Sequence, residues 1–547
     1  MLHNITIPDF ALVVLIGASG SGKSTFARTH FLPTEIISSD FCRELVSDDE
    51  NDQTVSKEAF EVLHFIAAKR LELMKLTVID ATSVQFDSRK PLIKLARDYH
   101  ALPVAIVLDV PDRVSIERNQ QRPDRTFGPH VIARQRQDLK RSLRGLESER
   151  FRRVIVLKSE TDVAEVTVTR EPLWNNRKTE HGPFDIIGDV HGCYDELMTL
   201  LEQLGYQVDT ENMRAIPPEG RKAIFLGNLV DRGPKIPQVL KLVMSMVEAE
   251  TALCIPGNHD IKLMRKLRGK NVQITHGLAD SLAQLEAEPP EFHRQAADFI
   301  DSLTSHYILD DGKLVVAHAG MKESMAGRAS GTVREFALYG ETTGETDEFG
   351  LPVRYNWAAE YRGDAMVVYG HTPVPEPEWL NRTINIDTGC VFGGALTALR
   401  YPEQELVAVP ALYTYAEPAR PFLEVDQQAP GLTNFSAAAR RLAGYYRCSG
   451  AGCQYRETVY QHPFAKEYPD PRRECRRSAG SHESLCRQSK MAGLFTPDYV
   501  TSRNQQIAQF TGTSRRSLYL LSQQRHPAGN LRRKAHGFTR CRRHLQR

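Results

Sequence analysis

The feature that most constrains this chain is a glycine-rich pattern near its start, Gly17-Ala18-Ser19-Gly20-Ser21-Gly22-Lys23-Ser24, which fits G-x-x-x-x-G-K-S/T without a mismatch. An apolar run, Ala11–Ile16, precedes it and a helix-compatible run, Thr25–Phe31, follows it, which is the context that a phosphate-binding loop requires. Glycines let backbone N–H groups close around phosphate oxygens, and the N-terminus of the next helix favours negative charge. The pattern therefore predicts that ATP binds, with Mg²⁺, at Gly17, Ser19, Gly20, Ser21, Gly22, Lys23, Ser24 and Thr25.

The rest of the chain predicts an α/β protein with several domains. Its 547 residues are too many for one ordinary domain core. The composition, 41% hydrophobic and 25% charged residues, excludes a mainly disordered, collagenous or membrane-spanning protein. Apolar strands alternate with helical stretches in residues 1–170, which is typical of a parallel sheet. A linker is predicted over 171–182, a second α/β domain over 183–415 and an extension over 416–547. Nine cysteines without a disulfide framework, and no secretion signal, predict a cytoplasmic protein that binds no membrane.

Two further groups of residues predict the chemistry beside the phosphate-binding loop. Asp40 follows a short strand and can accept a proton from an attacking hydroxyl, while Arg43 can anchor a phosphate on the acceptor. Arg118 and Arg122 are spaced i, i+4 and therefore share one helix face, which suits a lid over the transferring phosphoryl group. A capping aspartate with a surface arginine, and a solvated basic helix face, are the alternatives that stay open.

Together these residues resemble the polynucleotide 5′-kinase branch of P-loop phosphotransferases over residues 11–170. The resemblance implies that Lys23 and Ser24 hold ATP and Mg²⁺. It also implies Asp40 as the general base, Arg43 on the acceptor strand, and Arg118 and Arg122 in the lid.

A second set of polar residues follows the strands of residues 183–415. The segments are Gly188-Asp189-Val190-His191-Gly192, Gly227-Asn228-Leu229-Val230-Asp231-Arg232-Gly233, Gly257-Asn258-His259-Asp260, His318, and Gly370-His371-Thr372. Oxygen and imidazole ligands of this mixture suit Mn²⁺, Fe, Ni²⁺ or Zn²⁺. Two such ions about 3.5–4 Å apart can activate a water and hold a phosphate between them.

In their order along the chain these segments resemble the binuclear metallophosphoesterase superfamily, which implies an α/β sandwich with two divalent metals, Mn²⁺ first among them. The resemblance implies that Asp189 and His191 bind one ion and that Asn258, His318 and His371 bind the other. It also implies that His259 is a general acid held by Asp231 and that Arg232 binds the phosphate. Asn228 stands where the family has the aspartate that bridges both metals. A neutral amide bridges two dications poorly, so we expect a weakened phosphatase.

The two modules in this order resemble the bacterial polynucleotide kinase–phosphatase of RNA repair. The resemblance implies phosphorylation of 5′-OH ends and removal of 2′,3′-cyclic or 3′-phosphates. It further implies RNA ends and a 3′-terminal RNA ribose methyltransferase as partners, and a homo-oligomer. Two alternatives stay open: a protein or dinucleoside-polyphosphate phosphatase with an appended small-molecule kinase, and a decayed RNA-binding remnant.

The C-terminal extension differs in composition from the rest of the chain. Residues 446–547 carry 20 lysines and arginines against 6 aspartates and glutamates, and strand patterns are rare. A third, ligase-like module would need a nucleophilic lysine after a strand, and Lys534-Ala535-His536-Gly537 lacks that context. We therefore expect a poorly structured basic tail. We expect it to be largely irregular or the truncated remnant of a third module. Its arginine and cysteine enrichment and its poor periodicity favour an out-of-frame product over a disordered linker or a segment that binds RNA phosphates.

Overall fold

The computed structural model describes residues 4–121 and 128–420, which form two α/β modules. The first module has the strands β1 (Asn4–Pro8), β2 (Ala11–Ile16), β3 (Ile36–Ser38), β4 (Thr77–Asp80), β5 (Leu102–Leu108), β6 (Arg153–Leu157) and β7 (Thr167–Glu171). Its helices are α1 (Lys23–His30), α2 (Ser39–Ser47), α3 (Ser56–Glu72), α4 (Phe86–Asp98), α5 (Asp112–Gln120), α6 (Pro129–Leu143) and α7 (Glu160–Glu165).

The sheet of the first module has the strand order β3-β4-β2-β5-β6, and every neighbouring pair is parallel. All six residues of β2 are buried, because helices cover both faces of the sheet at its centre. β1 and β7 pair separately with each other. The carboxyl end of the central strand therefore delivers the glycine-rich loop to the edge of the sheet where α1 begins, as the sequence predicts.

The second module contains two sheets packed face to face, with helices on their outer sides. Its strands are β8 (Asn176–Arg177), β9 (Phe184–Ile187), β10 (Gln207–Asp209), β11 (Arg214–Ile216), β12 (Lys222–Phe225), β13 (Ala252–Cys254), β14 (His306–Leu309), β15 (Leu314–Ala317), β16 (Thr342–Thr346), β17 (Pro352–Arg354), β18 (Met366–Tyr369), β19 (Glu378–Leu380), β20 (Thr383–Asn385), β21 (Ala395–Tyr401) and β22 (Glu405–Pro410). Its helices are α8 (Tyr194–Gln203), α9 (Ile236–Glu248), α10 (Asn258–Leu267), α11 (Leu278–Leu285), α12 (Pro290–Ser302), α13 (Gly331–Tyr339) and α14 (Trp357–Glu360).

One sheet has the order β13-β12-β9-β21-β22 and the other the order β19-β20-β18-β15-β14-β8. Apolar residues of both sheets, among them Ile186, Ile224, Val316 and Ile384, form one buried cluster between them. The predicted sandwich is thus confirmed. β9, β12, β13, β15, β18 and β20 end on the same side of the sandwich, so the residues that follow them meet there.

The segment predicted as a linker, 171–182, is partly ordered into the second module. Asn176 and Arg177 form β8, which pairs in parallel with β14. The adjacent Asn175 is 1% exposed, and its Nδ2 donates to the carbonyl oxygen of Arg328 at 3.1 Å. A polar composition indicated a linker, but here the polar groups find partners inside the fold.

Arg328 joins the two modules. Its guanidinium is buried and donates to the carbonyl oxygens of Leu71, Glu72 and Tyr99, at 3.0, 2.7 and 2.6 Å. These carbonyls belong to the C-terminal ends of α3 and α4, where helix carbonyls lack partners within their own helix. The second module thus caps two helices of the first.

Two further findings concern the chain as a whole. No helix in the described residues combines the length and apolarity needed to span a membrane. The predicted basic extension lies, beyond residue 420, outside the described residues.

Candidate active sites

The glycine-rich loop has the backbone that its sequence predicts. Gly20 and Gly22 have φ of 79° and 96°, in the left-handed region that favours glycine. A Cβ at Gly20 would also lie 2.2 Å from the carbonyl oxygen of Ser115, so no larger residue fits there. The Nζ of Lys23 donates to the carbonyl oxygens of Gly17 and Ala18, both at 3.0 Å. The lysine therefore lies folded across the loop that it is expected to serve.

A cavity of about 520 Å³ brings the two predicted halves of the first site together. It is lined by Ser19, Lys23 and Ser24 from the loop, and by Asp40 and Arg43 from α2. On the far wall, the backbone N–H of Ser19 donates to the side-chain oxygen of Gln135 at 2.8 Å. This amide oxygen satisfies a loop N–H of the kind that binds phosphate oxygens. A phosphate at this position would have to displace it.

Asp40 and Arg43 form an ion pair within α2. The hydroxyl of Ser38 accepts from the backbone N–H of Asp40 at 3.2 Å, so Ser38 caps the helix. The Nε of Arg43 donates to the carbonyl oxygen of Glu50 at 2.9 Å. The carboxylate and the guanidinium therefore line the cavity as one pair, and the bond to Glu50 holds the guanidinium.

Of the two predicted lid arginines, one can be described. Arg118 donates to the carboxylate of Glu160 at 2.8 Å, and its Nη1 lies 3.2 Å from the position of a Cβ at Gly22. It is therefore placed against the glycine-rich loop. Arg122 lies outside the described residues.

The second site collects all the predicted metal ligands at one end of the sandwich. Asp189 and His191 follow β9, Asn228 follows β12, Asn258 begins α10 after β13, and His318 and His371 follow β15 and β18. Several site residues have a left-handed backbone, with φ of 46° at His191, 47° at Asn228, 72° at Asp231, 71° at Arg232 and 75° at His371. Non-glycine residues adopt this conformation rarely, and it concentrates at functional sites.

Three donor atoms converge in the manner of ligands around one ion. The Oδ1 of Asn258 lies 3.0 Å from the Nε2 of His318 and 3.0 Å from the Nδ1 of His371, and these two nitrogens are 3.1 Å apart. The Nδ1 of His318 donates to the carbonyl oxygen of Leu226 at 2.9 Å, so its Nε2 presents a lone pair. Ligands at right angles, about 2.1 Å from an ion, lie about 3.0 Å apart. This group fits a divalent cation.

The other predicted ligands are already engaged by protein donors. The Nδ1 of His191 donates to the carbonyl oxygen of Val230 at 2.8 Å, and its Nε2 accepts from the Nη1 of Arg232 at 3.1 Å. The Nδ2 of Asn228 donates to the Oδ2 of Asp189 at 2.8 Å. A second ion at Asp189 and His191 would therefore have to displace an arginine and an amide.

The hydrogen bonds fix the orientation of the Asn228 amide. Its Oδ1 accepts from the backbone N–H of His259 at 3.1 Å, and a backbone N–H can only donate. The amide nitrogen must then face Asp189, as observed. Asn228 thus turns a donor, not a ligand atom, toward the metal-binding carboxylate.

His259 and Asp231 form the pair expected for a general acid and its partner. The Nδ1 of His259 lies 2.6 Å from the Oδ2 of Asp231, and Asp231 also contacts the hydroxyl of Ser281. Both side chains are buried. Arg232 lies over the ring of Phe392, with 5.0 Å between its Cζ and the ring centroid. It also donates to His191, so the guanidinium reaches the predicted metal ligands.

Burial sets the protonation of this site. It raises the pKa of Asp231 to about 6 and lowers the pKa of His318 to about 3. Burial, reinforced by Asp387, also raises the pKa of Asp189. Neutral imidazoles are the metal-binding form, and carboxylates that resist ionisation call for a cation beside them. The electrostatics therefore agree with the donor geometry.

Asp387 belongs to the site although the sequence analysis did not select it. It follows β20, is 5% exposed, and burial raises its pKa to about 6. It lies close enough to Asp189 for the two carboxylates to interact. The rule that found the predicted ligands, a polar residue after a strand, applies equally to Asp387.

Asp260 has a role that the sequence did not indicate. Its carboxylate accepts from the backbone N–H of Leu229 at 2.9 Å and of Gly257 at 2.8 Å, which fixes the loops after β12 and β13.

Comparisons with known proteins divide the chain at the same place. A family model described as an AAA domain matches residues 12–146, and one described as calcineurin-like phosphoesterase matches residues 182–375. The bis(5′-nucleosyl)-tetraphosphatase PrpE (asymmetrical) of Anoxybacillus flavithermus is 51% identical over 244 residues, which are 44% of this chain and 99% of that protein.

Two further proteins with the same name align in the same way. That of Geobacillus sp. WCH70 is 49% identical, over 42% of this chain and 95% of its own length. That of Bacillus subtilis is 46% identical, over 43% of this chain and 97% of its own length. These matches cover the phosphoesterase part alone.

Proposed function

The chain belongs to the calcineurin-like phosphoesterase family, and we propose that its second module is a metal-dependent hydrolase of phosphates carried by nucleotides. The observation that carries the proposal is the convergence of Asn258, His318 and His371 on one cation position. Similarity to proteins named bis(5′-nucleosyl)-tetraphosphatase supports dinucleoside polyphosphates as the substrate class.

The residues around this position would share the work of hydrolysis. A bound divalent ion supplies Lewis-acid activation of water and phosphate. Arg232 would bind the phosphate, since its guanidinium extends from a buried loop to the ligand His191. His259 would donate a proton to the leaving oxygen, with Asp231 holding its ring through Nδ1. Asp189, together with His191, would hold a second ion, and Asn228 now donates to this carboxylate.

The direct test is hydrolysis of bis(5′-adenosyl) tetraphosphate by the full chain with added Mn²⁺. ATP and AMP as products would indicate asymmetrical cleavage, and two ADP molecules would indicate symmetrical cleavage. His259→Asn should abolish the reaction, whereas His293→Asn, on the remote helix α12, should leave it unchanged. Equal rates in His259→Asn and the parent chain would overturn the assignment of the acid.

For the first module we propose transfer of a phosphoryl group from ATP·Mg²⁺ to a hydroxyl. Lys23 and Ser24 line the same cavity as Asp40 and Arg43, which supports a nucleotide and an acceptor bound side by side. Asp40 would accept the hydroxyl proton, and Arg43 would bind a phosphate of the acceptor. ATP turnover that requires a hydroxyl acceptor is the expected result.

A second candidate function is the healing of RNA ends, with RNA 5′-OH and 2′,3′-cyclic or 3′-phosphate ends as substrates. The observation that favours it is the contact between the two modules through Arg328. An RNA has two kinds of end, so a kinase and a phosphoesterase in one chain would each act on one of them. The test uses radiolabelled ATP with 5′-OH RNA, and in parallel an RNA with a 2′,3′-cyclic end. Hydrolysis of the dinucleotide with no RNA labelling would decide against this candidate.

A further inference from the structure

A compact group of possible metal ligands lies behind the hydrolytic centre, in the core of the second module. Cys193 directly precedes α8, Glu196 lies in the first turn of α8, and Cys390 lies in the loop between β20 and β21. They are 0%, 1% and 1% exposed. One atom from each, the two Sγ atoms and a carboxylate oxygen, lie within 4.8 Å of one another.

Glu196 provides an independent sign that a cation belongs here. Its Oε1 accepts from the backbone N–H of Leu412 at 2.9 Å and from the hydroxyl of Tyr415 at 2.8 Å. Its Oε2 is buried and has no hydrogen-bond partner. A buried carboxylate oxygen without a partner is costly, and in native proteins such atoms commonly mark an ion or an ordered water.

The chemistry of the three ligands selects a particular class of ion. Two thiolates and one carboxylate suit Zn²⁺, which prefers sulfur and nitrogen ligands in tetrahedral sites. With Zn–S bonds of about 2.3 Å, tetrahedral sulfur ligands lie about 3.8 Å apart, which is compatible with atoms that lie within 4.8 Å of one another. The Tyr415 hydroxyl is a further oxygen at the same carboxylate. By contrast, the ligands of the hydrolytic centre include no sulfur.

We propose that Cys193, Glu196 and Cys390 bind a structural zinc ion that is separate from the hydrolytic metals. Two S–H bonds break, their protons pass to solvent, and two metal–sulfur bonds and one metal–oxygen bond form, with no change of oxidation state. Cys193 lies two residues after the ligand His191, and Cys390 lies three residues after Asp387. The ion therefore ties together two loops that shape the hydrolytic centre.

The experiment is a Co²⁺ titration of the full chain, stripped of metal and kept reduced. Thiolate-to-cobalt charge-transfer absorption in the near ultraviolet reports sulfur ligation, which the hydrolytic centre cannot give. We expect this absorption in the parent chain and in Cys254→Ser, a buried cysteine elsewhere in the same module. It should disappear in Cys193→Ser and in Cys390→Ser. Glu196→Gln keeps both thiols and the side-chain shape, and should weaken Co²⁺ binding by at least about tenfold.

The C-terminal cysteines need their own control, since five of them lie beyond residue 420. A chain with Cys448, Cys453, Cys475, Cys486 and Cys541 replaced by serine should keep the absorption. Loss of the signal in that chain, its survival in Cys193→Ser, or its absence from the parent would each overturn the proposal. If the cysteine variants do not fold, two measurements test the proposal: the Co²⁺ affinity of Glu196→Gln, and zinc X-ray absorption of the parent chain. Sulfur at about 2.3 Å supports the site, and oxygen and nitrogen alone contradict it.

Discussion

The two candidate active sites of this chain are constructed in opposite ways. The site of the first module is a cavity of about 520 Å³ between the glycine-rich loop and α2, and the proposed base Asp40 retains 26% exposure there. The site of the second module is shaped by buried side chains that hold one another, such as Asp231 and His318, both at 0%. The carboxylate of Asp40 therefore lies within reach of solvent and of a ligand in the cavity. Residues of the second are part of the core, and a change there alters stability as well as activity.

The largest expected effect is a loss of activity at the first site that leaves stability unchanged. Asp40→Asn should lower phosphoryl transfer by about 1000-fold, since it removes the proposed base, while ATP binding and the melting temperature stay unchanged. Initial rates with labelled ATP, nucleotide titration and thermal unfolding measure the three quantities. Asp48→Asn is the control, because Asp48 is exposed at the end of the same helix and its left-handed backbone suits asparagine. A large drop in melting temperature for Asp40→Asn would break the comparison.

At the second site we expect a gain from Asn228→Asp. The new carboxylate would face Asp189 where an amide now donates at 2.8 Å, and the two charges repel unless a cation lies between them. Without metal the variant should therefore melt at a lower temperature than the parent, and with Mn²⁺ it should hydrolyse substrate at least about 100-fold faster.

The control for this change is Asn212→Asp. The Nδ2 of Asn212 also donates to a carboxylate, that of Asp209 at 2.7 Å, but on the exposed surface. It should change neither rate nor metal dependence. Equal rates for Asn228→Asp and the parent at saturating Mn²⁺ would show that Asn228 does not limit hydrolysis.

The junction between the modules tests whether the two sites share one stability. Arg328→Ala removes the hydrogen bonds to the carbonyls of Leu71, Glu72 and Tyr99, and should lower the free energy of unfolding by about 2.5 kcal/mol. Calorimetry should then resolve separate transitions for the two modules. Arg294→Ala removes an exposed ion pair with Glu291 and should change nothing measurable. A single unshifted transition in Arg328→Ala would mean that the junction contributes little.

The smallest effect concerns pH. Burial lowers the pKa of His306 to about 4, whereas an unfolded histidine titrates near 6.5. Because the unfolded chain binds the proton more readily, this histidine stabilises the fold above pH 6.5, and that stability is lost as the pH falls toward 4. Between pH 7 and pH 5 the loss should be about 2 kcal/mol. His306→Gln cannot take up the proton and should flatten that part of the profile; an unchanged slope would contradict the assignment.

The two sites also differ in how well the sequence predicts them. The glycine-rich loop, the strand before it and the helix after it lie in one short segment, so a local sequence pattern predicts all three. The metal centre draws on distant segments, and there the order of the motifs sufficed to group the ligands. Asp387 was missed because it stands alone after β20 without a glycine–histidine signature. Nothing local in the predicted linker shows that the Nδ2 of Asn175 donates to the carbonyl oxygen of Arg328. Long-range partners of polar residues are what a single sequence reveals least.

Arg328 also has a consequence for how such a chain could arise by gene fusion. The relatives from Anoxybacillus and Bacillus align over nearly their whole length with the second module alone. Joining two reading frames supplies a covalent tether, but it does not supply a cation for the carbonyls of α3 and α4. In this chain the second module supplies that cation, because Arg328 donates to the carbonyl oxygens of Leu71, Glu72 and Tyr99. A second module separated from the first within 171–182 would keep Arg328 but would lack the three carbonyl oxygens that this arginine binds here.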